Sequence, residues 1–149
     1  MKQATHFTVQ PGWKILISDM GINPTHVLAF AELPADLFSR KDTRLTPGEY
    51  FRLWHGLEQA AGAEDLPLKI GRAISVEAFD PPIFASLCSP NLNTALQRLA
   101  AYKRLICPIR MTVNIGEHKT QVTLECYGHE GHIPRSFGAT ELVFFTRLA

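Results

Sequence analysis

The spacing Cys126-x-x-His129-x-x-His132 is the arrangement in this chain that most resembles a metal site. Zinc takes three or four sulfur or nitrogen ligands at short local spacings, and a thiolate with two imidazoles would supply three of them. Two features weigh against it. Cys126 falls on the inward parity of a strand, and no second cysteine pair supplies a fourth ligand. The plainer reading is a glycine-rich loop with solvent-facing histidines, and neither a metal nor any other cofactor is expected. Nucleophilic catalysis needs a thiol or hydroxyl beside a base and an orienting group. No nucleophile elbow or cysteine-site signature frames such a set. Gly12, Gly21, Gly48, Gly56 and Gly62 stand singly, at helix stops or on helix surfaces, so there is no phosphate-cradling loop. The chain reads as a non-enzyme.

A different chemistry is open to side chains on helical faces. Arg72, Arg104 and Glu141 are charges on or beside apolar stripes, and Glu141 shares its stripe with Phe137, Phe144 and Leu148. Taken singly, each is better read as a peripheral charge or a structural ion pair. Taken together, such charges are what an apolar pocket uses to orient a ligand. Tyr50, Trp54, Phe84 and Tyr102 are likewise core residues first, but they are the natural walls if their helices converge. The candidate ligand-binding residues are therefore Tyr50, Trp54, Phe84, Tyr102, Arg104 and Glu141. The segment from Lys14 to Glu32 has the outline of a helix-turn-helix with Gly21 at the turn. Its second helix offers no Lys or Arg to reach bases or phosphates, which favours a structural hairpin.

These residues need elements to position them. Trp13 to Met20 reads as a short helix with Ile15, Leu16 and Met20 inward, stopped by Gly21. Asn23-Pro24 opens a second helix carrying Val27, Leu28 and Phe30, which ends before Pro34. Residues 34–46 read as a loop. Thr46-Pro47-Gly48-Glu49 is the strongest local signal, a capping box with proline at the first helical position. The helix that follows shows Tyr50, Leu53, Trp54, Leu57 and Ala61 on one face and ends at Gly62. Asp65 is expected to cap a helix with Leu66, Ile70, Ala73 and Ile74 inward. Asp80 is expected to cap another that Pro81 opens, with Ile83, Phe84, Leu87 and Cys88 on its apolar face. Ser89-Pro90 ends that helix and Asn91 caps the next, which is expected to bury Ala95, Leu96, Leu99, Tyr102 and Ile106 until Pro108 stops it.

Beyond Pro108 the period changes to two. Ile109, Met111, Val113 and Ile115 alternate with polar residues, as do Val122, Leu124 and Cys126, which predicts an antiparallel hairpin with one covered face. A two-stranded hairpin is marginal alone in water, so helices or further strands must cover it. A last apolar helix begins near Arg135. The fold class is α+β, helices first, packed on a small antiparallel sheet and closed by a C-terminal helix.

At 149 residues, with 46% of them apolar or aromatic and 19% charged, the chain is long enough for one domain with a real core, spanning residues 1–149. A net charge of +1, with Lys and Arg dispersed, excludes a dominant nucleic-acid surface. The apolar runs are too short to span a bilayer. Cys88, Cys107 and Cys126 are an odd set, best accounted for as reduced, mostly buried thiols in a cytoplasmic protein. The chain stops inside an apolar helix without a stop signal, so the native protein is expected to continue.

In order, the capped helix with Leu45, Tyr50, Leu53 and Trp54, then Gly71-Arg72, then Ser89-Pro90, Leu92, Ala95-Leu96, Leu99, Tyr102 and Arg104-Leu105, and finally the hairpin, resemble the N-terminal domain of AraC-type transcriptional regulators. Gly21-Ile22-Asn23-Pro24 is similar to the family as well. That domain is labelled arabinose-binding-like. The resemblance implies a cytoplasmic regulator domain that senses a small-molecule effector, forms a homodimer, or both. It implies contact with DNA only through a C-terminal helix-turn-helix domain absent from this chain. The family's sensor usually runs on with further strands, and its motifs here are structural rather than ligand-contacting. The label carries no expectation of sugar binding, because the arabinose regulator's own sensor is a differently patterned β-barrel. The alternative is a stand-alone ligand-binding or interaction module without a DNA partner.

Overall fold

Capping chemistry sets the helix starts. In the computed structural model, which describes residues 3–62, 65–74 and 81–149, α1 (Gly12–Asp19) and α2 (Pro24–Phe30) form the first helical pair. The Gly21 backbone adopts φ 77° between them, and its N–H donates to Ser18 O at 2.9 Å while Ile22 N–H donates to Ile17 O at 3.1 Å. These bonds close the C-terminus of α1. Asn23 Oδ1 accepts from Thr25 N–H at 2.9 Å and so caps α2. At α3 (Pro47–Ala61), Glu49 N–H donates to Thr46 Oγ1 at 3.3 Å and Thr46 N–H donates to Glu49 Oε2 at 2.8 Å, the reciprocal box that the sequence predicts. Then come α4 (Leu66–Ala73), α5 (Pro81–Leu87) and α6 (Leu92–Ile106), the last capped by Asn91 Oδ1 accepting from Thr94 N–H at 2.9 Å.

Strands β3 (Ile109–Ile115) and β4 (Thr120–Cys126) pair antiparallel, with Ile109 opposite Cys126 and Ile115 opposite Thr120. Helix α7 (Arg135–Leu148) closes the chain. A second ribbon joins β1 (Phe7–Thr8) to β2 (Arg44–Leu45). The fold is thus mixed α+β, with seven α-helices and two antiparallel two-stranded sheets among the described residues.

Helix α3 is the axis of the molecule. It packs against α2 on one side, where Gly56 is buried rather than on the surface. A Cβ there would lie 2.3 Å from the Val27 carbonyl oxygen, so only glycine permits this approach. On the other side α7 delivers Phe137 into an aromatic cluster. Its ring centroid is 5.4 Å from Phe51, 5.1 Å from Trp54 and 5.9 Å from Tyr50, all edge-to-face. Helix α4 lies against α7, and a Cβ on Gly71 would meet Val143 Cγ1 at 2.5 Å. Helix α6 covers β3, α5 covers α6, and Thr120 Oγ1 donates to Asn93 Oδ1 at 2.6 Å to fix the hairpin to α6.

The structure corrects several inward faces. Ile15 is 64% exposed, and Ile17 is buried in its place, two residues on and so across the helix. Phe30 is 53% exposed, two residues past buried Leu28. On α6 the buried residue is Lys103, at 5% exposure, while Tyr102 turns outward at 41%. Phe84 and Leu87 on α5 are exposed, as are Cys88 and Cys126, so of the three thiols Cys107 alone is buried. Asp65 makes no side-chain cap, since Pro67 removes one of the N–H donors such a cap would bind. The expected Asp80 cap lies outside the described residues. Within residues 34–46, expected as loop, sit a 3₁₀ turn (Leu37–Ser39) and β2. The helices cover Ile109 and Met111, but Val113, Val122 and Leu124 are half-buried and Ile115 is exposed toward the hairpin tip.

Candidate functional site

Helices α1, α3, α4, α6 and α7 converge on a cavity of about 350 Å³. Trp13 and Leu16 come from α1, Tyr50 and Trp54 from α3, Ile70 and Ile74 from α4 and its end, and Phe144 from α7. Ile83 of α5 and Ile106 of α6 complete the apolar wall, and the rim is made by exposed Thr8, Gln10 and Gly12. The volume lies at the lower end of the range that holds small organic ligands. The cavity is walled by helices, and the β3–β4 hairpin stays outside it.

One charged pair stands in this apolar setting. Lys103 Nζ of α6 lies 2.7 Å from Glu141 Oε2 of α7. The residues are 5% and 8% exposed, and the ammonium also sits 5.5 Å from the Phe144 ring centroid. Burial disfavours the Lys103 charge, but the negative charges of Cys107 and Glu141 outweigh it and hold the ammonium above the usual lysine range. Burial pushes the Cys107 thiol up to about 12, against the opposing pull of Lys103, so near neutral pH it is uncharged and Glu141 is the working counter-ion. The contact is short, yet it is poorly aligned as a hydrogen bond, and Oε2 lacks a well-directed donor.

Around the pair the remaining polar groups are neutral. Thr140 Oγ1 donates to Ser136 O at 2.7 Å and Cys107 Sγ to Lys103 O at 3.4 Å. Tyr50 retains some exposed surface. Even so, burial pushes its phenol well above the ordinary range, with nearby negative charge adding and the Trp54 indole N–H opposing. It is a neutral donor and acceptor throughout the physiological range.

Of the six residues picked out on sequence, Tyr50, Trp54 and Glu141 meet at this cavity. Phe84, Tyr102 and Arg104 do not line it. Phe84 is 49% exposed, Tyr102 faces outward, and Arg104 Nε donates to Ala101 O at 3.1 Å. Lys103 is the residue that sequence reasoning missed. Its signal was present: Lys103 continues the Leu96–Leu99 stripe at i+7 and i+4, and a lysine on such a stripe calls for a buried acid on a neighbouring helix. Arg72 is exposed at the end of α4.

The metal-like trio does not converge. Cys126 is exposed at the end of β4, the His129 ring packs 5.2 Å from Phe51, and the His132 carbonyl meets His55 Nε2 at 2.9 Å. Among the described residues no three His, Cys, Asp or Glu side chains are placed to hold a metal ion. Nor is any described helix long and apolar enough to cross a membrane. Helices α1 and α2 meet as a structural hairpin whose second member buries Val27 and Leu28 against α3.

Residues 21–148 match the family model described as the arabinose-binding domain of AraC transcription regulators, N-terminal. No curated protein matches the chain.

Proposed function

Because this chain belongs to the family of N-terminal arabinose-binding domains of AraC transcription regulators, a regulatory rather than enzymatic family, we propose that its cavity is the effector pocket of a cytoplasmic transcription regulator. The observation that carries this is a buried, imperfectly aligned ion pair on the wall of a mostly apolar cavity of about 350 Å³. A charged pair on the wall of a mostly apolar cavity is the kind of polar group by which small-molecule sites orient a ligand.

The same geometry supports a route for the signal. Glu141 and Phe144 belong to α7, whose N-terminus is held to α3 where Glu58 Oε2 accepts from Ser136 Oγ at 2.6 Å and from Ser136 N–H at 3.3 Å. A ligand seated on the Lys103–Glu141 pair would bear on α7 beyond that anchor. Its differential affinity for two placements of α7 would bias a DNA-binding module carried elsewhere in the regulator. Self-association is the second reading. It is favoured by exposed apolar side chains on α5 and at the start of α6, Phe84, Leu87 and Leu92.

Thermal unfolding against a metabolite library tests the pocket. A ligand at about a hundredfold over its Kd adds about 2.7 kcal/mol, which at this chain length raises Tm by roughly 5–10 °C. Leu16→Trp, which fills the cavity, should abolish that rise. A library with no stabilising member, or a hit indifferent to Leu16→Trp, refutes the reading.

A further inference from the structure

We propose that the ligand of this cavity is uncharged overall and mostly apolar, with one hydroxyl or carboxamide head group seated on the Lys103–Glu141 pair. The inference rests on the effector-pocket reading and narrows it to a chemical class.

Charge balance is the first argument. Among the lining residues only Lys103 and Glu141 are charged, and they already neutralise each other at 2.7 Å while more than nine-tenths buried. An anionic or cationic ligand would leave one net charge without a counter-charge in a low-dielectric site, which is strongly unfavourable. A ligand of zero net charge leaves the balance intact. Hydrogen-bond capacity is the second argument. An ammonium has three donors and a carboxylate accepts several bonds, and Glu141 Oε2 lacks a well-aligned donor here. A group that both accepts and donates serves both partners at once.

The third argument is the rest of the wall. Thr140 Oγ1 and Cys107 Sγ already donate to backbone carbonyls, and Thr8 and Gln10 stand only at the exposed rim. Apart from the Tyr50 hydroxyl, the remaining walls are chiefly indole, phenyl and aliphatic groups. A sugar hydroxylated on every carbon would leave most of its hydroxyls unpaired, and each unpaired polar group costs more than a hydrogen bond returns. The cavity therefore disfavours a polyol.

The protein carries its own reporter. Its two tryptophans, Trp13 and Trp54, both line the cavity and meet edge-on at 6.1 Å. Their emission, checked by calorimetry, would follow titration of the full chain at pH 7 with 3-phenylpropanol, 3-phenylpropanoate, 3-phenylpropylamine, phenylalanine and L-arabinose. The alcohol is expected to bind at least about tenfold tighter than the anion and the cation, with no response to arabinose. It should also bind tighter than phenylalanine, whose net charge is zero but whose ammonium and carboxylate must both be desolvated. Glu141→Gln should transfer the preference to 3-phenylpropanoate and Lys103→Met to the amine, because each leaves one charge uncompensated. If either variant does not fold, the order of affinities in the unaltered chain still decides. Tighter binding of a charged compound or of arabinose overturns the class and leaves the effector reading standing. Should all five be silent, the net charge of any hit from the metabolite library decides the class, and silence there as well overturns both.

Discussion

The aromatic centre around α3 and the outer flank of α5 and α6 are equally apolar in sequence and opposite in fate. Phe51, Trp54 and Phe137 are almost wholly enclosed and meet edge-to-face. Phe84, Leu87, Leu92 and Tyr102 stand exposed. Helix α3 has α2, β2 and α7 as neighbours, whereas α5 packs chiefly on α6. Helical spacing thus marks the face that prefers cover, but where the neighbouring elements lie decides whether cover is found. The cavity lies between these regimes, on the enclosed side, where burial is deep enough to raise Cys107 and Tyr50 and where neighbouring negative charge raises Lys103 against its burial.

The largest test of that contrast is alkaline pH. A thiol raised from 9.0 in the unfolded chain to about 12 in the fold stabilises fully below pH 9, and the contribution is lost as pH rises through about 12. Three pH units correspond to something on the order of 4 kcal/mol. Tyr50 and Lys103, both raised, lose stability in the same direction. Urea midpoints measured from pH 8 to pH 12 should therefore hold to about pH 9 and fall above it, and Cys107→Ala should flatten part of that slope. A flat profile would mean that the cavity side is as wet as the flank.

Next in size, Phe51→Ala removes the ring at the middle of the aromatic cluster and should cost about 3–5 kcal/mol in the same assay. Smallest is Phe84→Ser, on a half-exposed ring, expected to stay within about 0.5 kcal/mol. A large loss there would show that the α5 flank is covered in solution, and would favour self-association.

Much of the framework was legible because it is local. Thr46 with Glu49 and Asn91 with Thr94 are short-range chemistry, and each helix begins where they place it. The hairpin followed from alternation, down to the Ile109–Ile115 and Thr120–Cys126 strands. What escaped was long-range. The β1–β2 ribbon joins residues far apart in the chain over two positions each, too short for any periodicity to register. On α6 the spacing puts Lys103 on the Leu96–Leu99 stripe, while hydrophobicity favours Tyr102. Burial of the lysine is made tolerable by Glu141 on α7, which no reading of α6 alone contains.

Likewise the candidate set divided along contacts that no single helix contains. Tyr50, Trp54 and Glu141 share a cavity, while Phe84, Tyr102 and Arg104 do not reach it. The sequence by itself determined where elements start and stop, the mixed helix-and-hairpin class and the family pattern, since caps, prolines and periodicity act over a few residues. Tertiary structure decided which apolar faces are covered, which glycines admit a neighbour and which two charges meet. Those outcomes depend on how separate elements fill the same volume, and packing and charge compensation are properties of that shared space.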